Sequence, residues 1–344
     1  VCKEWNAIAT PLLYQNIVIG RGRQLPNIST ILEVSHQTTD GFFSVGRWTK
    51  RLDIALRDSS RPVNEELAII ADIVRCLPNL EIVTFSVSSP QYSDDDTSPC
   101  LVLRALESTC ASSLKYIHWF RDTLVPDPES LATLFRNSPN LRSFYTPLVP
   151  GVEECDDEFF HASLTTIHAE ARILSYASPI PPHLMNLPSL RQMSFVVPLF
   201  GADPRWRSFL ERHGSRLQRI QALIYPAGSH FQPDLAHIAA SCHNLLRLDL
   251  AFSHWTHMPF PVTLPPTVEH LGIFCAQGQI ANYQTFFSRL DRIEYGAKLR
   301  CIQFLGKRNV RDIFDKHLHQ FWFGTRRLRG SGVRFMNHRG ICIA

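Results

Sequence analysis

Apolar and polar positions along this chain follow one short frame that recurs at uneven intervals. In "CLPNLEIVTFSV", "NSPNLRSFYTPL", "NLPSLRQMSFVV", "GSRLQRIQALI", "SCHNLLRLDLAF" and "GAKLRCIQFLG" an apolar anchor is followed by a second apolar residue at +3 and a third at +5. Laid on the whole chain, the frame gives anchors at Thr49, Leu80, Leu114, Leu141, Leu164, Leu190, Leu217, Leu245, Val268 and Leu299. Their partners include Leu52 and Ile54, Val83 and Phe85, Ile117 and Trp119, Met193 and Phe195, Leu248 and Leu250, Leu271 and Ile273, and Ile302 and Phe304. The mean interval is about 28 residues, inside the range of leucine-rich repeats.

The +3 and +5 residues fall on one side of a short strand, and the anchor turns the chain inward beside them. One repeat cannot bury that side; stacked repeats pair their strands in parallel and join the inward residues into a continuous core. Helical stretches separate the strands. Residues 64–76 put Leu67, Ile70, Ala71 and Val74 on one face, with Asn64 as the expected N-cap. Asp127-Pro128 and Asp203-Pro204 open two further helices with a cap and a proline at the first position, and Gly214 is the expected stop of the second. "PDLAHIAASC" and "NYQTFFSRLDRIEYG" continue the series, whereas the repeat before Leu164 and "HMPFPVTLPPTVEHLGIF" are degenerate. "NVRDIFDKHLHQFWFG" places Val310, Ile313, Phe314, Leu318 and Phe321 on one stripe, as in a helix capping the last repeat. The expected fold is therefore α/β: a leucine-rich-repeat solenoid, a curved parallel sheet with outer helices. A doubly wound sheet fits less well, because no Gly-rich phosphate loop follows any strand.

Composition narrows the function classes. The net charge is only +4 over 344 residues, with acidic clusters at 94–96 and 153–158, which is not a nucleic-acid footprint. No run of eighteen apolar residues and no signal-peptide pattern occurs, so no membrane partner is expected. Nine cysteines without a C-x-x-C pair suit reduced thiols in a cytoplasmic or nuclear protein. The common nucleophile, phosphate-loop and zinc motifs are missing, so no catalytic residue, cofactor or metal is expected. His254-x-x-His257 and His317-x-His319 lack further ligands at suitable spacing, and the 153–158 run lacks the alternation and glycine of a calcium loop.

The first 19 residues, "VCKEWNAIATPLLYQNIVI", put Val1, Trp5 and Ile8, then Leu12 and Leu13 after a break at Pro11, at helical spacing. Val1, Cys2, Lys3, Trp5 and Ala9 with "PLLY" at 11–14 and the "NIVI" exit resemble the final third of an F-box, most closely in F-box proteins of higher fungi with degenerate leucine-rich repeats. The resemblance implies an N-terminally truncated F-box, its adaptor-contacting helices lying before Val1, with Trp5 in the F-box core and Leu12, Leu13 and Tyr14 bridging to the first repeat. It divides the chain into an F-box end (1–19), a connecting segment (20–45), about ten repeats (46–306) and a capping helix and tail (307–344). It further implies a substrate-recognition subunit of an SCF ubiquitin ligase, joined to a Skp-type adaptor and cullin through the complete F-box. The alternative is a leucine-rich-repeat scaffold unrelated to ubiquitination; a cryptic enzyme is the remaining class.

In such an array the +2, +4 and +6 side chains leave the core and line the concave sheet face, where a target protein would bind. These are Tyr116, His118 and Phe120, Ser143 and Tyr145, Thr166, His168 and Glu170, Arg219 and Gln221, Arg247 and Asp249, and His270 and Phe274. Aromatic and Arg side chains of this kind supply most hot spots of protein interfaces.

Overall fold

In a computed structural model, the structure describes residues 3–38, 44–56, 61–87, 100–120, 126, 128–146, 159–169, 185–197, 205–224, 231–258, 262–276 and 283–343. The chain divides into two units, Val1–His168 with Ala177–Leu187, and Ala169–Tyr176 with Pro188–Ala344.

In the first unit the strands are β1 (Asn16–Ile19), β2 (Arg51–Leu56), β3 (Ile82–Val87), β4 (Tyr116–Trp119), β5 (Ser143–Thr146), β6 (Phe159–Phe160), β7 (Thr166–Ala169) and β8 (Met185–Asn186). Their sheet order is β1-β2-β3-β4-β5-β7, with β6 paired to β8 apart from it. The second unit contains β9 (Gln192–Val197), β10 (Arg219–Ile224), β11 (Arg247–Phe252), β12 (His270–Cys275), β13 (Cys301–Phe304) and β14 (Arg334–Met336), adjacent in that order. Each pairing from β1 to β5 and from β9 to β14 is parallel and matches equivalent residues of the frame.

One hydrogen-bond pattern explains that register. Within each unit the amides at +1 and +2 from an anchor both donate to the +1 carbonyl of the preceding repeat, as seen at nine of the ten anchors. Lys50 and Arg51 donate to Gln15, Glu81 and Ile82 to Lys50, Lys115 and Tyr116 to Glu81, Arg142 and Ser143 to Lys115, and Thr165 and Thr166 to Arg142. In the second unit Gln218 and Arg219 donate to Arg191, Leu246 and Arg247 to Gln218, Glu269 and His270 to Leu246, and Arg300 and Cys301 to Glu269. A turn precedes most anchors: the amides of Thr49, Leu80, Leu141, Leu217, Leu245, Val268 and Leu299 each donate to the carbonyl three residues back. That position is glycine in Gly46, Gly214 and Gly296, where a Cβ would lie 2.0, 2.7 and 2.7 Å from a carbonyl oxygen of a neighbouring repeat. All ten anchors are buried, as are the +3 and +5 partners predicted from the sequence. Phe85 stacks on Trp119 at 4.2 Å in the first unit, and Trp255 packs on Phe286 at 4.0 Å in the second. This is an α/β leucine-rich-repeat solenoid.

The helices are α1 (Lys3–Leu13), α2 (Leu25–Thr38), α3 (Val63–Arg75), α4 (Cys100–Cys110) and α5 (Pro128–Asn137) in the first unit. The second unit holds α6 (Arg205–His213), α7 (Phe231–Ser241), α8 (Tyr283–Leu290), α9 (Lys307–Lys316), α10 (Leu318–Gly324) and α11 (Arg326–Gly330). The predicted face of α3 is buried at Leu67, Ile70, Ala71 and Val74, and Pro128 opens α5 as expected. Asp127, Asp203 and Pro204 lie outside the described residues.

Several expectations are corrected. Asn64 is not the cap of α3: Pro62 is, and Asn64 sits in the first turn, because Pro62 fixes the extended backbone that precedes the helix. Gly214, by contrast, does follow the last residue of α6, His213, as expected, and opens a 3-10 turn, Gly214–Arg216, that delivers the chain to Leu217. The C-terminal stripe is broken at His317, which separates α9 from α10; Ile313 and Phe321 are buried, whereas Phe314 and Leu318 are exposed. Pro11 does not break α1, which runs through it; so late in the helix a proline removes only one intrahelical hydrogen bond.

Both ends of the repeat region extend further than the sequence frame placed them. "NIVI", read as the exit of the helical segment, is strand β1, with Ile17 and Ile19 buried and in register with Leu52 and Ile54. Residues 20–45, expected as a connection, contain α2, with Leu25 and Leu32 buried. The tail contributes β14, whose Phe335 is buried opposite Ile302.

Candidate functional site

Alternation along the strands sends +3 and +5 inward and leaves +2, +4 and +6 on the other face of the sheet. In the first unit this places Arg51, Ile82, Tyr116 and Ser143 side by side at +2, and Asp53, Thr84, His118 and Tyr145 at +4. Five of the predicted binding residues come together there. Tyr145 is their centre: its ring lies 5.4 Å from Phe120, 5.1 Å from His168 and 6.4 Å from His118, which is itself 6.4 Å edge-on from Tyr116. Such tilted and edge-to-face contacts are the favoured geometries between aromatic rings, and they tie the three strands together on this face. Phe120 is exposed, while Tyr116, His118, Tyr145 and His168 are half-buried. Burial lowers the His118 pKa, and Arg51 lowers it further against the opposing pull of Asp53. Arg51 is itself held by Asp53, Nε to Oδ2 at 2.7 Å.

Beside this cluster, at +1, Glu81 bridges Lys50 (3.0 Å) and Lys115 (2.6 Å). The Lys115 hydrogen bond is the main reason the Glu81 carboxyl sits below its usual range. Thr166 is half-buried, and Ser143, expected on the binding face, is buried at 8% exposure. Glu170 lies outside the described residues.

The second unit presents a different face. Its +2 row runs Gln192, Arg219, Arg247, His270, Cys301 and Arg334, and its +4 row runs Ser194, Gln221, Asp249, Gly272, Gln303 and Met336. Asp249, predicted as a contact residue, is corrected to a buried one at 1% exposure. Arg219 Nε donates to Asp249 Oδ2 (2.7 Å) and Arg247 Nε to Oδ1 (2.8 Å), so two guanidiniums lie over one carboxylate. Arg247 Nη2 also donates to Gln303 Oε1 (2.9 Å), and Gln303 Nε2 to the Asn337 carbonyl (3.2 Å). The space for Asp249 comes from the next strand, where a Cβ on Gly272 would lie 1.9 Å from Oδ1. Gln221 and His270 are half-buried on this face and Phe274 is exposed; His270 Nδ1 lies 2.8 Å from Cys301 Sγ.

No protein-family model matches this chain, and no curated protein matches its sequence. Among solved structures the chain is similar to the leucine-rich repeat-containing protein LegL7 from Legionella pneumophila, at 12% identity and a TM-score of 0.41, over 80% of this chain and 89% of that one.

Of the N-terminal residues, Trp5, Ile8, Leu12 and Leu13 are between 64% and 73% exposed. The expectation that Leu12 and Leu13 bridge α1 to the first repeat is corrected: their side chains face solvent, and the link is the Tyr14 carbonyl, which accepts a hydrogen bond from Thr49 Oγ1 (2.8 Å). Tyr14 is half-buried at the position equivalent to an anchor, two residues before β1. No group of three or more His, Cys, Asp or Glu side chains is arranged to hold a metal ion among the described residues. His317 instead stacks on Tyr283 at 4.3 Å and pairs its Nδ1 with Gln320 Oε1 (2.7 Å). No helix among the described residues is long and apolar enough to cross a membrane.

The sequence frame missed Gln303, Gly272, Cys301 and Arg334 on the second face. Arg334 was hidden because the tail was not read as a strand; the other three follow from applying the +2 and +4 rule without omission.

Proposed function

We propose that this protein is a leucine-rich-repeat interaction module that holds a partner protein on the outward face of its sheet, and that it serves as the non-catalytic substrate-recognition subunit of an SCF-type ubiquitin ligase. The interaction reading is carried by the Tyr145-centred cluster. Five aromatic or imidazole rings converge from three strands, where neighbouring repeats already fix the backbone and little order remains to be imposed on binding.

The ligase role rests on the resemblance of residues 1–19 to the end of an F-box. It is supported by the exposed Trp5, Ile8, Leu12 and Leu13 on α1, the kind of apolar surface that an F-box core or its Skp-type adaptor covers. No disulfide joins the seven described cysteines, in keeping with a cytoplasmic or nuclear setting.

The test is affinity capture of the full-length gene product, unmodified and with Tyr116→Ala and Tyr145→Ala together. Recovery of a Skp-type adaptor and cullin by both forms, with further chains lost only from the double variant at unchanged melting temperature, is the expected result. Loss of those chains without any adaptor leaves an interaction scaffold outside the ubiquitin system. Identical captures by the two forms refute the aromatic cluster as the binding face.

A further inference from the structure

The second unit carries a charge imbalance that its own packing does not use. Three guanidiniums, Arg219, Arg247 and Arg334, share one row of the sheet face, and the single carboxylate among them, Asp249, is buried beneath the first two. The Arg219 and Arg247 side chains remain 40% and 27% exposed although both are hydrogen-bonded to Asp249. The buried carboxylate therefore acts as a peg: it fixes two flexible cationic side chains in place while neutralising only one of them. Arg334 is exposed, and among the described residues no carboxylate pairs with it. The Cys301 thiol lies in the fields of both Arg247 and Arg334, which oppose the rise in pKa that burial gives it, so positive charge continues across the row from β11 to β14. The flanking Glu269 is engaged by Arg300 at 3.3 Å.

We propose that this row binds an extended, acidic peptide segment of a partner protein, whose side-chain oxyanions meet the Arg219–Arg247 pair and Arg334. This deepens the interaction reading above and rests on it. Neighbouring strands lie about 4.8 Å apart, so the four steps from β10 to β14 span about 19 Å, the reach of about six extended residues. Pre-fixed guanidiniums suit carboxylate or phosphate oxygens, because their planar forks lose little freedom on pairing. A protein segment is favoured over nucleic acid: three arginines neutralise few phosphates, and a single exposed ring beside the row, Phe274, is no series of rings on which successive bases would stack.

Fluorescence anisotropy on the whole chain tests this, with labelled eight-residue peptides that alternate serine with glutamate, glutamine or phosphoserine. Oligouridine RNA and phosphatidylserine vesicles serve as competing anions. The glutamate or phosphoserine peptide should bind at least about tenfold more tightly than the glutamine peptide, and weaken as salt rises. Whichever of the two acidic peptides is tighter identifies the oxyanion as carboxylate or phosphate. Arg334→Gln, which touches no buried charge, should weaken acidic-peptide binding about threefold at unchanged melting temperature. The triple variant Arg219→Gln, Asp249→Asn, Arg247→Gln removes both signs together, strands no carboxylate, and should weaken it at least about tenfold. Equal binding of the glutamine peptide, binding unchanged in both variants, no binding of any peptide, or tighter binding of RNA or vesicles than of either acidic peptide overturns the proposal. If the peptides fail while captured chains still depend on Tyr116 and Tyr145, this row falls and the interaction reading stands; the converse result sinks the aromatic face alone.

Discussion

The tightest packing on the sheet face makes a quantitative prediction. Replacing Gly272 by Ala inserts a methyl group 1.9 Å from Asp249 Oδ1, 2.8 Å from its Cγ and 3.0 Å from Leu305 Cδ1. The carboxylate must move, and it is held at both oxygens by Arg219 and Arg247. Overpacking of this kind costs ~1–3 kcal/mol. Displacing the carboxylate from partners that water can reach adds about 1 kcal/mol, well below the cost for a sealed pair. Against this, alanine in place of glycine in a strand returns about 0.5–1 kcal/mol of backbone entropy. Gly272→Ala should therefore destabilise the second unit by about 2 kcal/mol.

The decisive measurement is the same substitution in an Asp249→Ala background. There the methyl group meets only the end of Leu305, and Gly272→Ala should be neutral to within ~0.5 kcal/mol, a coupling of about 2 kcal/mol between the two positions. Guanidinium denaturation followed by circular dichroism reads the four stabilities. Amide exchange in β11 and β12 checks that the change is local, since repeats can open singly. An equal cost of Gly272→Ala in both backgrounds would refute the claim that this glycine exists to seat the Asp249 carboxylate.

Three further outcomes follow from the same structure. Burial lowers the pKa of His118 and His161, so below about pH 6.5 the unfolded chain takes up protons that the folded chain does not; stability should fall with pH from there, more gently in a His118→Phe variant, as read by denaturant midpoints at pH 7.5 and 5.5. Burial pushes the Cys110 and Cys242 thiols up to about 12, so both should resist iodoacetamide at pH 9 while exposed Cys342 reacts; their ionisation in the unfolded chain from about pH 9 upward should also erode stability as pH rises toward 12. Asn309 closes the end of β12 by accepting from the Cys275 amide (3.1 Å) and donating to its carbonyl (3.0 Å), so Asn309→Ala should cost about 2 kcal/mol in denaturant melts, and no loss would mean the two backbone groups find other partners.

The anchors were legible in the sequence because each repeat must bury the same three positions, and a core that depends on stacking tolerates little substitution there. What escaped was the chemistry between repeats. In "LPNL", "SPNL" and "CHNL" the asparagine before the anchor is a regular feature, and its amide reaches back one repeat: Asn79 to the Arg47 carbonyl (2.9 Å), Asn140 to Ser112 (2.7 Å) and Asn244 to Ser215 (2.7 Å). Ser113 and Ser163 fill the same place, with hydroxyls on the Leu80 (2.7 Å) and Leu141 (3.1 Å) carbonyls. A search for apolar positions alone passes over this polar ladder, although it recurs in five of the ten repeats. The ends were missed for a related reason. β1 and β14 are short edge pieces whose anchor positions hold Tyr14 and Gly332, so the frame loses its first residue while the backbone ladder continues.

The same distinction governs the candidate sites. A row rule identifies which residues leave the core, and it brought Tyr116, His118, Phe120, Tyr145 and His168 together in the first unit. It does not reveal which of them are consumed by neighbours, because that depends on side chains of adjacent strands that lie about a full repeat apart in sequence. Asp249 has the same +4 address as Tyr145, yet Arg219 on one side, Gly272 on the other and Arg247 two residues before it turn it from a contact into a support. A residue on the face of such a sheet is thus a binding residue only when its row neighbours leave it unsatisfied. By that criterion Ser143 and Asp249 belong to the protein itself, while the Arg219–Arg247 pair carries more positive charge than the one carboxylate beneath it.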